Sequence, residues 1–449
     1  MVSGGNSSCA APLMATVSLR DEVVELLQGL IRLDTVNPPG NETIAAEFLR
    51  EYLERNGVQC ELYARVPDRA NLVARIRGRG GGPRLALLSH TDTVFADPAE
   101  WQVDPWSGEL RDGEIWGRGA LDMKGQVAAS AVAIASLARE GFEPGGDVIF
   151  VAAADEEVGA GYGLPWLCEH HPDAVRCEYA INEGQGDRLQ IDGGVYYLCA
   201  SAEKMSAPFR VVVRGRSGHA SKPGIADNAL VKAARIVQQL AEHRPEQELI
   251  PEVRALLAAV SRRVPETAAD AVAVAAATKP PLTEIIDPLL AMTLTPTMID
   301  ASKKRNVIPA TCEIVVDSRL LPGRTPADAR AVVERVLGEG DYELEWIEAH
   351  GGTRSPTDTP LWEAVAEFVE AEEPGARVAP VCVAGFTDSH WLRDAFGTVA
   401  YGFFPLRTMS PAVADLLVHS ADERASVDDL DLGVRFLRHV AERIGAGTL

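Results

Sequence analysis

The chain has 449 residues, 46% of them hydrophobic, enough to bury more than one core, so two domains are expected. Its 43 basic and 65 acidic residues leave a net charge of −22, which repels nucleic acid and anionic membrane and argues against either as a partner. No uncharged apolar stretch approaches the length of a membrane span, and seven scattered cysteines without a Cys-x-x-Cys pair point to reduced thiols in a cytoplasmic compartment.

Residues 1–12 lack the basic region and apolar core of a signal peptide and read as a disordered leader, with Met14 as an alternative start after an extension over 1–13. Amphipathic periodicity predicts helices over 21–33 and 41–56. Residues 71–76 read as a strand. The Gly-rich stretch 77–83 lacks the Gly-Lys-Ser/Thr ending of a phosphate loop and leads into another strand, so a hairpin turn is expected. The apolar run Leu85-Ala86-Leu87-Leu88 then ends in Ser89-His90-Thr91-Asp92. The motif Gly117-Arg118-Gly119-Ala120-Leu121-Asp122-Met123-Lys124-Gly125 precedes an Ala-rich helix over 126–140. A second apolar run, 148–154, ends in Asp155-Glu156-Glu157, and after a short helix over 162–169 comes Asn182-Glu183-Gly184.

Short apolar runs bounded by Gly and Pro read as buried parallel strands, and in open α/β sheets the chemistry gathers at their carboxyl ends. One His and several carboxylates delivered to one sheet edge suit a pair of divalent metal ions that share a bridging carboxylate. Taken alone, an acid pair such as Glu156-Glu157 is a solvated face, and Asp122 is a helix N-cap. The apolar strand before the pair, and the Gly-x-Gly before and Met-Lys-Gly after Asp122, favour the site over both readings. An ordinary nucleotide-binding α/β enzyme would need Gly-x-Gly-x-x-Gly after its first strand, and the best glycine cluster fails that pattern.

Near Ser201 the pattern changes. Strand 209–214, helix 226–241, strands 292–299 and 312–320, helix 326–337 and strand 342–347 follow a β-α-β-β-α-β order, which suits a small ferredoxin-like sheet with helices on one side. Residues 246–288 interrupt it with helix-like stretches and Pro-rich breaks. After 353 the α/β pattern resumes, with helix 361–370, strands 378–383 and 399–403, and helix 427–444. The expected fold is α/β: a large catalytic domain, 15–200 and 350–449, with a central mixed sheet between helices, interrupted by a smaller α+β lid or dimerisation domain, 201–349.

These motifs, with Trp101, Pro105-Trp106-Ser107-Gly108 and Asp112-Gly113, resemble in content and order the zinc peptidase and deacylase family. That family includes aminoacylase, acetylornithine deacetylase, succinyl-diaminopimelate desuccinylase, carboxypeptidase S and glutamate carboxypeptidase. The resemblance runs from about Leu19 to the C-terminus. It implies two Zn2+ ions, with Co2+ or Mn2+ as substitutes: His90 and Glu183 on one, Glu157 and His419 on the other, Asp122 bridging. Asp92, two residues beyond His90 and on the same face of an extended segment, is expected in a supporting catalytic role, accepting the imidazole N–H. Glu156, which points away from Glu157, is the expected general base.

The same resemblance makes His219, in Ser217-Gly218-His219-Ala220-Ser221, the group that stabilises the tetrahedral oxyanion. Asn306 and Arg319 are implied substrate-binding residues, Arg319 clamping a free α-carboxylate through its planar fork. Asp317 is a competing partner for Arg319, two residues away on the strand and expected to pair poorly. Gly385 and Thr387 belong to a substrate loop in which Phe386 departs from the usual Gly-Thr-Asp. The implied reaction is hydrolysis of an N-acyl amino acid or of a peptide with a free C-terminal carboxylate. Asn182-Glu183-Gly184 is closer to the aminoacylase and carboxypeptidase S branch than to the Gly-Glu-Pro of the acetylornithine and diaminopimelate enzymes. The alternative, a non-catalytic metal-binding relative acting in ligand binding or assembly, would be expected to have lost Glu156 or a ligand, and none is missing. The lid strand edge of this family often pairs with a second copy, and Val211-Val212-Val213 is the expected edge of such a homodimer. The stretch 246–288 resembles an insertion of the larger, carboxypeptidase-S-like members.

Overall fold

The computed structural model describes residues 18–446 apart from Ala160 and Arg262, so the expectation for residues 1–13 lies outside the described residues. A nine-stranded mixed sheet forms the centre of the large unit. Its strands lie in the order Gln59–Ala64, Ala70–Ile76, Val148–Ala153, Leu85–His90, Tyr179–Asn182, Val399–Gly402, Gly194–Glu203 and Arg377–Val383, with Arg188–Ile191 paired to Gly194–Glu203. Leu85–His90 runs parallel to both Val148–Ala153 and Tyr179–Asn182, and Val399–Gly402 runs parallel to Tyr179–Asn182. Every residue of Leu85–His90 and Val148–Ala153 is buried, as continuous apolar runs in a covered parallel sheet must be. The shared direction sends His90, the Asp155–Glu157 turn and Glu183 to one edge of the sheet.

One face of the sheet is covered by the helices Leu19–Ile31, Lys124–Arg139 and Val427–Gly445. The alanines of Lys124–Arg139 let its neighbours approach closely, and the helix is buried along almost its whole length. Lys124 itself is buried, its Nζ donating to the carbonyls of Leu30 at 3.0 Å and Leu33 at 2.9 Å, which ties the start of this helix to the end of the first.

The Gly-rich stretch is not a hairpin turn. Ala70–Ile76 and Leu85–His90 do not pair with each other; they lie on opposite sides of Val148–Ala153, the first antiparallel to it and the second parallel. The glycines instead let the chain cross over the start of that central strand. Arg79 and Gly80 donate to the carbonyls of Pro144 and Gly145, and a Cβ would lie 2.4 Å from Gly146 C at Gly78 and 2.7 Å from Gly146 N at Gly82.

The second unit is a sheet with the spatial order Tyr342–Trp346, Phe209–Arg214, Thr311–Leu320, Thr293–Asp300, every pair antiparallel. The helices Ala229–Glu242 and Pro326–Leu337 share one apolar cluster with it. This is the ferredoxin-like arrangement expected from the element order. It also relocates the sheet edge. Val211, Val212 and Val213 lie on the first strand, which this topology places in the middle, and all three are buried. The open edge is Thr293–Asp300, where Met298 is 67% and Ile299 51% exposed.

The helices of the 246–288 stretch, Pro251–Ser261 and Ala268–Ala277 among them, pack against Gly194–Glu203 and Arg377–Val383 of the large sheet. Lys204, at the crossing between the sheets, is fully buried, and its Nζ donates to the carbonyls of Pro288 and Ala291 at 2.8 Å each. Burial lowers this ammonium from 10.5 to about 8. Below pH 8 the folded and unfolded chains are both charged there, and folding bears the full burial cost. Between pH 8 and 10.5 the unfolded chain holds the extra proton, so this cost fades and stability rises with pH. The melting temperature of wild type minus that of Lys204→Met is therefore expected to climb over that window; a flat difference would refute the burial argument.

The cysteines Cys60, Cys168, Cys177, Cys199, Cys312 and Cys382 are all unpaired, and no helix among the described residues is long and apolar enough to cross a membrane.

Candidate metal centre

The sheet edge gathers five side chains from five separate segments. His90 Nε2 lies 3.1 Å from Asp122 Oδ1 and 3.6 Å from Glu183 Oε1. His419 Nε2 lies 3.0 Å from Asp122 Oδ2 and 3.2 Å from Glu157 Oε2. The two oxygens of Asp122 thus face opposite ways, one toward each group, and His90–Asp122–Glu183 and Asp122–Glu157–His419 form two ligand triads with Asp122 in common. No Lys or Arg ion-pairs with Asp122, Glu156, Glu157, Glu183 or Asp388 among the described residues.

The electrostatics of this cluster call for cations. Burial raises the pKa of Glu157 and of Glu183. Glu156 is held well above the ordinary carboxylate range, first by burial and then by Glu183. Burial and Glu183, with Asp92 behind them, push Asp388 up to about 8. Burial disfavours the His90 imidazolium, yet Glu183, Asp122 and Asp92 outweigh it and hold its pKa well above the usual value. His419, bonded to Asp122 and Glu157, rises to about 10. Glu157 Oε1 and both oxygens of Asp388 are buried without a hydrogen-bond partner, an expensive arrangement unless a cation is their partner. One imidazole with carboxylate oxygens in each triad fits a divalent ion of the zinc, cobalt or manganese kind.

Asp92 connects the two sides of the site. His90 Nδ1 sits 3.1 Å from the Asp92 main-chain carbonyl and 3.4 Å from its Oδ1, so Nδ1 carries the proton and Nε2 is left to ligate. The Asp92 carboxylate also accepts from the backbone N–H of Glu156 at 3.2 Å, of Glu157 at 3.1 Å, and from Asn37 Nδ2 at 2.9 Å. This geometry needs a tight turn. Asp155 supplies it with φ 68°, a left-handed conformation that Asp tolerates better than most residues. Its side chain is clamped by Arg69 at 2.6 Å, Asn37 at 2.8 Å and the Tyr162 N–H at 3.1 Å, and Arg69 is in turn paired with Glu42. Glu157 then turns to Asp122 and His419, while Glu156 joins neither triad.

Sequence reasoning gave no role of their own to Glu423, Asn37 and Asp388. Glu423, fully buried, accepts from Arg118 Nη1 at 2.6 Å and from the backbone N–H of Gly119 at 3.0 Å, Leu121 at 2.7 Å and Asp122 at 3.0 Å. It fixes the loop that presents Asp122, aided by Arg424–Ser426 pairing with Glu114–Trp116. The signal was its spacing of four from His419. Asn37, in a turn before Pro38-Pro39, offered no such signal. Asp388 adjoins the expected Thr387.

The expected substrate groups are distributed differently. His219 and Asn306 are brought together, since Gly218–His219 pairs with Val307–Ile308 and the Asn306 carbonyl accepts from Ala220 N–H at 3.0 Å. His219 is exposed, and its Nδ1 accepts from the Ser221 N–H at 3.2 Å, which puts the ring proton on Nε2, the atom turned away from Ser221. Arg319 pairs with Asp317 through both Nε and Nη2, 3.1 Å each. This overturns the expectation of a poor pair: positions two apart share a strand face, and the long guanidinium folds back to reach the shorter acid. Thr387 is buried, its N–H and hydroxyl both donating to Glu203 at 3.0 and 3.1 Å, so it holds the loop. Gly385 is half-buried, with open space where a Cβ would lie.

The profile of peptidase family M20/M25/M40 matches residues 86–443. The chain is 29% identical over 436 residues to a succinyl-diaminopimelate desuccinylase of Methylobacterium nodulans, covering 93% of this chain and 94% of that one. It is 25% identical over 457 residues to an N-fatty-acyl-amino acid synthase/hydrolase of Xenopus tropicalis, covering 93% and 85%. Among solved structures it superposes with an M20 family metallo-carboxypeptidase from Sulfolobus solfataricus at a TM-score of 0.73 and 18% identity, over 95% of this chain and 99% of the other.

Proposed function

The chain belongs to peptidase family M20/M25/M40 and is a metal-dependent hydrolase, and from that premise we propose that it cleaves the amide bond of N-acyl amino acids or of peptides with a free C-terminal carboxylate. The observation that carries this reading is the pair of triads sharing Asp122, with Glu156 beside them and in neither.

His90 and Glu183 would hold one ion, Glu157 and His419 the other, and Asp122 both; zinc is our choice of metal. Two divalent ions held there supply Lewis acidity at the scissile carbonyl and at the attacking water. Glu156, its carboxylate kept basic first by burial and then by Glu183, takes a proton from that water and returns it to the leaving nitrogen. Asp92 keeps the His90 tautomer and the Glu156 turn in register. His219 lies in the segment between the two parts of the large sheet, and its Nε2–H is a donor suited to a developing oxyanion, so turnover requires the two units to close on the substrate. Arg319 would exchange Asp317 for the substrate carboxylate on closure. The exposed edge Thr293–Asp300 supports a homodimer, and the unpaired cysteines support a cytoplasmic setting.

The test is hydrolysis of a panel of N-acetyl amino acids, N-succinyl amino acids and dipeptides before and after chelation. Activity is expected on at least one class, to fall below 1% (roughly 10²-fold or more) on chelation, and to return with zinc. Turnover that survives complete removal of metal would overturn the mechanism.

A further inference from the structure

Beside Asp122 and Glu183 the surface opens into a cavity of about 280 Å³ that the mechanism above leaves unused. Its walls are mainly apolar, with Leu121, Phe404, Leu406, Met409, Val418 and Leu430 among them. They are also firmly held. The N–H groups of Phe404 and Leu406 donate to the carbonyls of Gln185 and Gly186, and Asp429 accepts the N–H groups of Arg407, Thr408 and Met409. The chain passes so close at Gly186 that a Cβ there would lie 1.7 Å from Phe404 O. A preformed apolar hollow of this kind binds with little ordering cost to its own walls.

Its charge is one-sided. Among the described residues no lysine or arginine lines it, while the carboxylates of Asp187 and Asp415 face it without a hydrogen bond or ion pair. A carboxylate entering it would be stripped of water and set beside like charges. An apolar group meets no such obstacle. A cavity of about 150 Å³ suffices for benzene, so this one has room for an acyl chain of about six carbons.

We propose that this cavity receives the acyl side of the scissile amide and selects uncharged aliphatic acyl groups longer than acetyl over carboxylate-bearing ones such as succinyl. The proposal rests on the amide-hydrolase reading, because the cavity is lined by Asp122 and Glu183, beside which that reading sets the scissile carbonyl. Each buried methylene then raises kcat/KM roughly fourfold until the cavity is full.

The test compares N-acetyl, N-butanoyl, N-hexanoyl and N-succinyl derivatives of one amino acid on wild type, Leu406→Trp, Ala414→Leu and Asp187→Asn. Leu406 and Ala414 line the cavity from different segments, so a folding defect in one variant leaves the other to decide. Wild type is expected to prefer hexanoyl over acetyl and to turn over succinyl least. Each filling variant should lower the hexanoyl-to-acetyl ratio at least tenfold, and Asp187→Asn should raise the succinyl-to-butanoyl ratio severalfold. Turnover of N-acetyl substrate with no dependence on chain length, or equal losses on all chain lengths in both filling variants, overturns the cavity assignment alone. A preference of wild type for succinyl also overturns it. Inactivity of wild type on every derivative overturns both the cavity assignment and the reading beneath it.

Discussion

Glu156→Ala is expected to lower kcat by about 10³–10⁴-fold, toward the upper end for the loss of a general base, while the protein still binds two metal ions per chain. The expectation follows from the division of labour in the Asp155–Glu157 turn. Both N–H groups of Glu156 and Glu157 are fixed by Asp92, but only Glu157 reaches His419, and Glu156 is in neither triad. Its side chain can therefore be removed without opening either ligand set. Metal content by plasma emission, together with kcat, checks this. An equal loss of metal and of turnover would make Glu156 a ligand, and turnover within tenfold of wild type would remove it from the chemistry.

Glu423→Ala is expected to be the most destabilising single change near the site, by about 3–5 kcal/mol, because it strands a buried arginine. Arg118 is 2% exposed and Glu423 is its only acidic partner among the described residues, while three backbone N–H groups of the Gly119–Asp122 loop lose the same acceptor. Freed from that acceptor, the loop no longer fixes the bridging carboxylate, so affinity for both ions should fall together. Glu423→Gln keeps one oxygen and should recover part of the stability. Urea unfolding of the metal-free chains gives the first quantity and zinc titration the second. A loss below about 1 kcal/mol would mean that water replaces the carboxylate and that the clamp is unimportant.

Much of this site is written locally. His90, Asp122, Glu156, Glu157 and Glu183 each follow a recognisable strand or precede a helix, so their arrival at one sheet edge follows from the parallel pairing of strands that sequence already marks as buried. His419 was legible only through its company, since a half-exposed histidine in a loop carries no pattern of its own. Pairing was harder to read. Alternation identifies Phe209–Arg214 as a strand but says nothing of its neighbours, and its valines were expected at an edge though the topology centres them. The glycines of 78–82 announce a close approach, but the chain they approach is some sixty residues away in sequence, at Gly145 and Gly146. Gln59–Ala64 went unpredicted because it is an edge strand with a largely exposed, mixed face, which leaves little hydrophobic period to detect. The Asp317–Arg319 pair shows the limit of spacing arguments, since side-chain length decides what spacing alone does not.

Glu423 and Asp122 are 301 residues apart in the chain, and the whole second sheet is threaded between them. A growing polypeptide therefore carries His90, Asp122, Glu157 and Glu183 for most of its synthesis without the histidine and the clamp that complete their arrangement. The closure that joins them spans 301 of the 449 residues, though its entropic cost grows only with the logarithm of that length. Capture of the ion that needs His419 is in this way deferred until the C-terminal segment arrives, and full occupancy marks a molecule in which that segment has already docked.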